Sequence, residues 1–338
     1  FTVAWESGTD GIFGRFFTAG GLPLGPQFAM VESADGLVPS TPEVSVAGDD
    51  TVTVSYTKVD AAGVGQGVFF TSFDVEAAAG ECDQDATTNC LNQERFQVTV
   101  SWRDFAGATG SGQAVALTDD TGYFWYFDDS NVELMLKVLD ATAINNHFWV
   151  FYGALSNVEY TIVVTDTVTG SSRAYFNPSG TFASVGDTEA LPSTGKAVHG
   201  VVDVPPKEWP GAATESFDPA AKTLACTPGP TNLCLNGSRF DVEVEWEDFA
   251  GNTGIGQAVP LTADTGYFWF FDSANVELVL KVLDARGINQ HFWVFYGALS
   301  NVAYTITVTD TETGAIKRYS NTADEFGSVG DTEAFFVP

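Results

Sequence analysis

Carboxylates are the residues whose spacing in this chain comes nearest to a site. Asp120, Asp128, Glu133 and Asp140 stand in turn-forming sequence at both ends of neighbouring apolar runs, and they recur as Asp264, Asp272, Glu277 and Asp284. A hard cation such as calcium gathers about six to eight oxygens from loops of this kind. Asn131 and Asn145, with their counterparts Asn275 and Asn289, stand close by as further oxygen donors. Calcium is therefore the candidate ion, and otherwise the chain calls for no cofactor. Two plainer roles compete with it. Aspartate starts turns and keeps an acidic surface soluble, and Lys137 or Lys281 offers a charge partner to Glu133, Asp140 or their equivalents. No EF-hand or nonapeptide calcium pattern is present, and the second set is less acidic, with Ala263 and Ser273 in place of Asp119 and Asp129.

The four cysteines form two C-x7-C pairs. Metal sites usually space cysteines about two to four residues apart, with a second pair or histidines nearby. The wider spacing suits two local disulfides, Cys82 with Cys90 and Cys226 with Cys234, and points to an oxidising, extracellular compartment. His147 and His291 each head an aromatic run, where a structural role is the ordinary one, and His199 stands alone. The glycine-rich Gly107 to Gly112 lacks the lysine and the glycine order of a phosphate loop and reads as a turn. There is no G-x-S-x-G elbow and no H-E-x-x-H, and no spacing ties serine, histidine and aspartate together. The chain does not read as an enzyme.

The elements that must position these residues are written twice. Cys82 to Leu191 repeats without a gap as Cys226 to Phe335, at a fixed offset of 144 residues. Cysteines, Trp102/Trp246, Trp125/Trp269, His147/His291 and Trp149/Trp293 all fall in register. Such clean duplication suits stacked modules. Within each copy the period is two: Phe96, Val98, Val100 and Trp102 alternate with Arg95, Gln97, Thr99 and Ser101, a half-buried strand. Further strands are predicted at Gly112 to Thr118, Gly122 to Phe127, Val132 to Leu139, His147 to Ala154, Tyr160 to Thr165 and around Tyr175, with no helical stretch. Tyr123 to Phe127 and Phe148 to Tyr152 are apolar on both faces, so each must be covered twice, by a loop, a neighbouring module or another subunit. An aromatic platform for sugar stacking is a further use for such strands.

Composition agrees. Forty-four acidic residues against fourteen basic ones give a formal charge of -30, which repels nucleic acid and anionic membranes. The longest apolar stretch, Phe148 to Leu155, is far shorter than the roughly 18 residues of a membrane helix, so no membrane span is expected. The chain begins in what reads as a strand, Phe1-Thr2-Val3-Ala4-Trp5, and is expected to be a processed form or a fragment. The fold expected is all-β: tandem immunoglobulin-like antiparallel β-sandwiches after an incomplete N-terminal β-repeat segment. The divisions are 1–77 for that segment, 78–191 and 216–338 for the sandwiches, and 192–215 for a proline-containing linker with room for one strand at Val201 to Val204.

Trp5-Glu6-Ser7, Gly11-Ile12-Phe13-Gly14-Arg15-Phe16 and Gly21-Leu22-Pro23-Leu24-Gly25 resemble the unit of a secreted bacterial β-repeat family, often arrayed in propeller-like folds. Arg15 follows Gly14 directly where that family usually carries an extra residue. A looser second unit follows, through Thr51 to Tyr56 and Gly67 to Phe70. The duplicated module resembles a repeat of secreted bacterial proteins, carried by Cys-Leu-Asn, Trp-x-Asp-Phe and His-Phe-Trp-Val-Phe-Tyr-Gly-Ala-Leu-Ser-Asn-Val. These resemblances imply location and architecture, and no activity. Two units cannot close a propeller, which needs about four blades, so open strand edges are expected. The expected function is a secreted structural or adhesive cell-surface protein. In its sharpest form the chain assembles head-to-tail with copies of itself, the strand holding Phe1, Val3 and Trp5 inserting into the next subunit. The alternative is a module that presents its repeats to a glycan or surface protein within a larger secreted protein.

Overall fold

Leu134–Ala141 and His147–Ala154 pair antiparallel, and each buries both of its faces. Side chains alternate across a strand. Leu134, Leu136, Val138, Phe148, Val150, Tyr152 and Ala154 therefore enter the core of the first module. Met135, Leu139, Trp149 and Phe151 point the opposite way, into a separate cluster shared with the second module. That alternation makes the architecture. In the computed structural model, which describes residues 2–6, 11–17, 23–32, 38–46, 51–59, 65–74, 82–194, 199–203, 213–221 and 225–337, each module is a sandwich of an inner and an outer sheet. The two inner sheets face each other, giving four layers.

The inner sheet of the first module runs Gln113–Ala116, Thr121–Trp125, Leu134–Ala141, His147–Ala154, Ser184–Pro192 in spatial order. Its outer sheet runs His199–Asp203, Ser172–Asn177, Glu159–Asp166, Phe96–Arg103, Thr88–Leu91, with Thr109–Ser111 also paired to Phe96–Arg103. The second module repeats this order, with inner strands Leu278–Ala285 and His291–Ala298 at the matching places. Its outer sheet differs at one edge. There Thr214–Phe217, which precedes the module in sequence, pairs antiparallel with Ala315–Asn321, whereas in the first module His199–Asp203, which follows it, pairs parallel with Ser172–Asn177. Both ends of the expected linker thus join the sandwiches as edge strands, and Pro205, Pro206 and Pro210 between them lie outside the described residues.

The sandwiches carry more strands than the seven or so expected. The run from Gly112 holds the single strand Gln113–Ala116, and a separate strand, Thr109–Ser111, precedes it, because the chain crosses from outer to inner sheet at Gly112, where a Cβ would lie 3.1 Å from Val100 and 3.2 Å from Phe124. Ser184–Pro192 is a further strand; its glycine, aspartate and glutamate hide it from a hydrophobic pattern, and a register shift marks it as an irregular edge. Two one-turn helices, Thr142–Asn145 and Arg286–Asn289, correct the expectation of no helix. They are too short to show a period. A charged clasp recurs as well: Arg95 grips the buried Asp166 through Nε and Nη2 at 2.8 and 2.7 Å, and Arg239 grips Asp310 in the same way at 3.0 and 2.7 Å. Two-point charge-assisted bonds of this kind are among the stronger ones.

The N-terminal segment forms two three-stranded sheets, Thr2–Glu6, Gly11–Phe17, Pro23–Glu32 and Val38–Val46, Thr51–Val59, Gly65–Asp74. Thr2–Glu6 pairs with Gly11–Phe17, setting Trp5 opposite Phe13, and lies alongside Val38–Val46, where Ser40 Oγ donates to Glu6 Oε1 at 2.9 Å. Val3 and Trp5 are therefore placed within this chain's own sheet; Phe1 lies outside the described residues. Ile12, Met30, Val54 and Tyr56 form its small core. Among the described residues no helix is long and apolar enough to cross a membrane.

Both expected disulfides are formed, Cys82 to Cys90 and Cys226 to Cys234, with Cα atoms 5.6 and 5.5 Å apart. Each ties the start of a module to its first outer strand. Closing so short a loop stabilises by about 2.5 kcal/mol in the chain-entropy model, little beside a sandwich core. Reduction is expected to lower the melting temperature of the chain while far-ultraviolet circular dichroism keeps its β signature at 25 °C. Collapse of that signature on reduction would show the staples to be essential to the fold.

Candidate functional site

The surface where the modules meet is the most chemically unusual part of the molecule. It is apolar, built from Val132, Met135, Phe151 and Leu155 on one side and Tyr267, Val276, Val279, Phe295 and Leu299 on the other. Its contacts are reciprocal. Phe151 meets Phe326 at 5.7 Å between ring centres, and the equivalent pair Phe295 and Phe182 meets at 5.6 Å. At the centre Gly153 and Gly297 touch backbone to backbone: a Cβ on Gly153 would lie 2.7 Å from the Gly297 carbonyl carbon. Equivalent residues meeting equivalent residues is the signature of an approximately two-fold, isologous contact, here made within one chain.

Into this face each module sends a lysine. Lys137 lies on the two-faced strand Leu134–Ala141, on the same side as Met135 and Leu139, and is 2% exposed. Its Nζ donates to Asn275 Oδ1 at 2.5 Å and to the Val276 carbonyl at 2.7 Å. Lys281, also 2% exposed, returns the contact, donating to Asn131 Oδ1 at 2.7 Å and to the Val132 carbonyl at 3.0 Å. Each asparagine in turn donates to a buried glutamate two residues on, Asn275 Nδ2 to Glu277 Oε1 at 2.8 Å and Asn131 Nδ2 to Glu133 Oε1 at 2.6 Å. Phe151 covers Lys137, with the ammonium 5.4 Å from the ring centre, and Phe295 covers Lys281 at 5.2 Å.

Burial dominates the ionisation of all four groups, because a charge without water is costly. It pushes Glu133 and Glu277 up to about 7, against the pull of the facing lysine, and drives Lys137 and Lys281 down to about 8, against the facing glutamate. These are the protonation properties of groups able to exchange protons near neutrality.

The carboxylates read as calcium candidates lie at the two ends of a hairpin. Asp120 and Asp140 flank one end of the hairpin Thr121–Ala141, and Asp128 and Glu133 lie at the other, several residues away along strands that rise about 3.3 Å per residue. Glu133 and Glu277 are consumed by the interface. Asp128 accepts from Ser130 N and Oγ, and Asp272 from Ala274 N, each holding its own turn. Asp140 accepts from Thr142 N and Asp284 from Arg286, where the one-turn helices begin. Asp120 accepts from Asn92 Nδ2, and Asp264 from Thr262 and Thr265. Among the described residues no cluster of three or more histidine, cysteine, aspartate or glutamate side chains is placed to hold a metal ion. Asn145 and Asn289 are occupied too, accepting from Trp149 Nε1 and Trp293 Nε1 at 3.1 and 3.0 Å, while His147 and His291 each bond a neighbouring carbonyl.

The aromatic strand Phe148 to Tyr152 is thereby accounted for: one face is core and the other packs in the cluster shared with the second module. The sequence offers Asn131 and Asn275 as oxygen donors beside the acids and Lys137 and Lys281 as their charge partners, but does not show that these meet across two modules. The usable signal was a single lysine inside Leu134-Met135-Leu136-Lys137-Val138-Leu139, an apolar strand, repeated in the second copy. No protein-family model matches the chain, and no curated protein sequence does.

Gly153→Val places a side chain where the inner sheets touch and is expected to destabilise the chain by about 2–3 kcal/mol, with the modules moving apart in small-angle scattering. Gly287→Ala, at a site with nothing within 4 Å of the added carbon, serves as the neutral control. The distribution of the carboxylates further predicts that chelating calcium at constant ionic strength leaves the melting temperature unchanged. A specific rise with calcium that matched sodium does not reproduce would place an ion at these turns after all.

Proposed function

We infer that this chain is a secreted structural or adhesive element of a cell surface, in which the paired modules act as one rigid block and the N-terminal strands join copies of the chain. The observation that carries the reading is that an aromatic face of each module is closed against the other, giving a four-layer body. Two disulfides are compatible with an oxidising, extracellular setting. A depression of about 330 Å³ near Arg103, Asp104, Phe105, Glu159 and Ser179 is open to solvent.

Assembly through the N-terminal unit has its own support. That unit rests on a few buried side chains, and its edge strand Gly65–Asp74 carries Val68 and Phe70 exposed at 65% and 70%. Apolar edges invite pairing with another chain, and a strand from a small core is exchanged between copies at low cost. Thr2–Glu6 would leave Gly11–Phe17 of its own chain and take the same place in the next. A second reading, presentation of the repeats to a glycan or surface protein, draws on Phe105 and Phe249, which stand 68% and 61% exposed at the same hairpin tip of each module.

Sedimentation and electron microscopy over a range of concentrations test the first reading. The full chain is expected to form linear multimers, and a chain lacking Phe1 to Ser7 is expected to remain monomeric with both modules folded. Full chains that stay monomeric at high concentration would turn the assignment to the presenting module.

A further inference from the structure

The lysine, asparagine and glutamate at the module interface have the chemical make-up of a self-joining site. A lysine amine attacks a carboxamide only if three conditions hold together: the amine is unprotonated, the carboxamide carbon lies within reach, and an acid is at hand to move protons. Burial in an apolar face favours the neutral amine. Lys137 Nζ sits 2.5 Å from Asn275 Oδ1, one carbonyl bond from the carbon it would attack. Glu277 is hydrogen-bonded to the same carboxamide at 2.8 Å, is 3% exposed, and its Oε2 has no hydrogen-bond partner. All three features recur at Lys281, Asn131 and Glu133, where Glu133 Oε2 is likewise without a partner. The phenylalanine rings over the two lysines close the sites to water.

We propose that Lys137 joins Asn275, and Lys281 joins Asn131, through spontaneous isopeptide bonds, with Glu277 and Glu133 carrying the protons, so that the two modules are covalently stitched twice across their shared face. The neutral Nζ adds to Cγ of the asparagine, forming the Nζ–Cγ bond while the carbonyl electron pair moves onto Oδ1. The glutamate, already holding the ammonium proton whose loss left Nζ neutral, gives that proton to Nδ2 and takes one of the two remaining on Nζ, so that it ends as the acid. The Cγ–Nδ2 bond then breaks, the carbonyl re-forms, and ammonia leaves. Nothing is oxidised or reduced, and no co-reactant is needed.

The surroundings suit the product as well as the reactants. The one N–H left on the new amide keeps an acceptor already in place, the Val276 carbonyl at 2.7 Å or the Val132 carbonyl at 3.0 Å. The protonated glutamate can donate to the new amide oxygen. A buried ammonium and carboxylate are replaced by neutral groups, which removes the desolvation cost that buried ion pairs carry. The position of the bonds also matters. Each links one module to the other, so a pulling force applied across the chain would meet a covalent tie in place of the shared apolar face.

The test is the intact mass of the full purified chain with its disulfides in place. Each bond releases one ammonia, about 17 Da, so the wild-type chain is expected to lie about 34 Da below the mass of its disulfide-bonded sequence. Peptide mapping is expected to give two branched peptides, one holding Lys137 and Asn275, the other Lys281 and Asn131. Glu277→Gln keeps the shape of the site and is expected to lose only the Lys137 to Asn275 bond; the surviving bond between Lys281 and Asn131 reports that this variant is folded. Lys137→Met is expected to lose the same single bond. A wild-type mass equal to that of the unlinked sequence, with Lys137 and Lys281 recovered in linear peptides, overturns the proposal. Full linkage persisting in Glu277→Gln overturns the role given to the glutamate.

Discussion

Lys137 and Lys281 are the constraint around which the two modules are arranged. A lysine ammonium withdrawn from water needs hydrogen-bond acceptors and a counter-charge held in place. Each lysine finds its acceptors on the other module, in an asparagine and a backbone carbonyl, with the facing glutamate acting on it at longer range. The apolar face around the lysines contributes most of the attraction, but it is non-directional. The charged cluster selects one register and orientation from the many that an apolar face would accept, because any other leaves ammonium and carboxylate buried without partners.

Duplication explains why the arrangement is reciprocal. When a surface patch meets a second copy of itself about a two-fold axis, each favourable contact appears twice, and residues near the axis meet their own counterparts. Gly153 and Gly297 do so here, and only glycine allows the strands that close an approach. The same residues that make the face fit its copy place each glutamate beside the asparagine that the opposite lysine reaches. One pattern of inward-pointing side chains in a single ancestral module is enough to build both halves of the site.

The copies have parted where they do not face each other. The outer-sheet edge of the second module is closed by the strand that leads into it, and that of the first by the strand that leads out. The lead-in strand of the first module belongs instead to Gly65–Asp74, in the N-terminal unit. An outer edge asks only for backbone hydrogen bonds and modest side-chain cover, so more than one segment can satisfy it. The inner face, which needs a complementary lysine, asparagine and glutamate in register, tolerates no such exchange.

The period-two alternation, the tandem repeat and the paired cysteines were enough by themselves to give an all-β chain of two disulfide-stapled sandwiches. These are local properties: alternation decides which way a side chain points from a strand, and eight residues of separation bring two cysteines within bonding reach. The double-sided strands even announced that something must cover them. Ser184–Pro192, with its polar and glycine residues, and the one-turn helices gave no such signal, since an edge strand or a single turn buries too little to leave a hydrophobic pattern. What covers the inner sheets was not legible, because Lys137 and Asn275 are 138 positions apart, and nothing in the neighbourhood of either names the other. The acids are legible as a group, but the partner of any one of them is not, for the same reason. Asp120, Asp128, Glu133 and Asp140 are neighbours in sequence, yet the hairpin sends them to opposite ends, while the partner of Glu133 waits on the other module. Proximity along a strand is determined by the chain, and proximity across a packed face only by the tertiary fold, because it depends on which surfaces exclude water together.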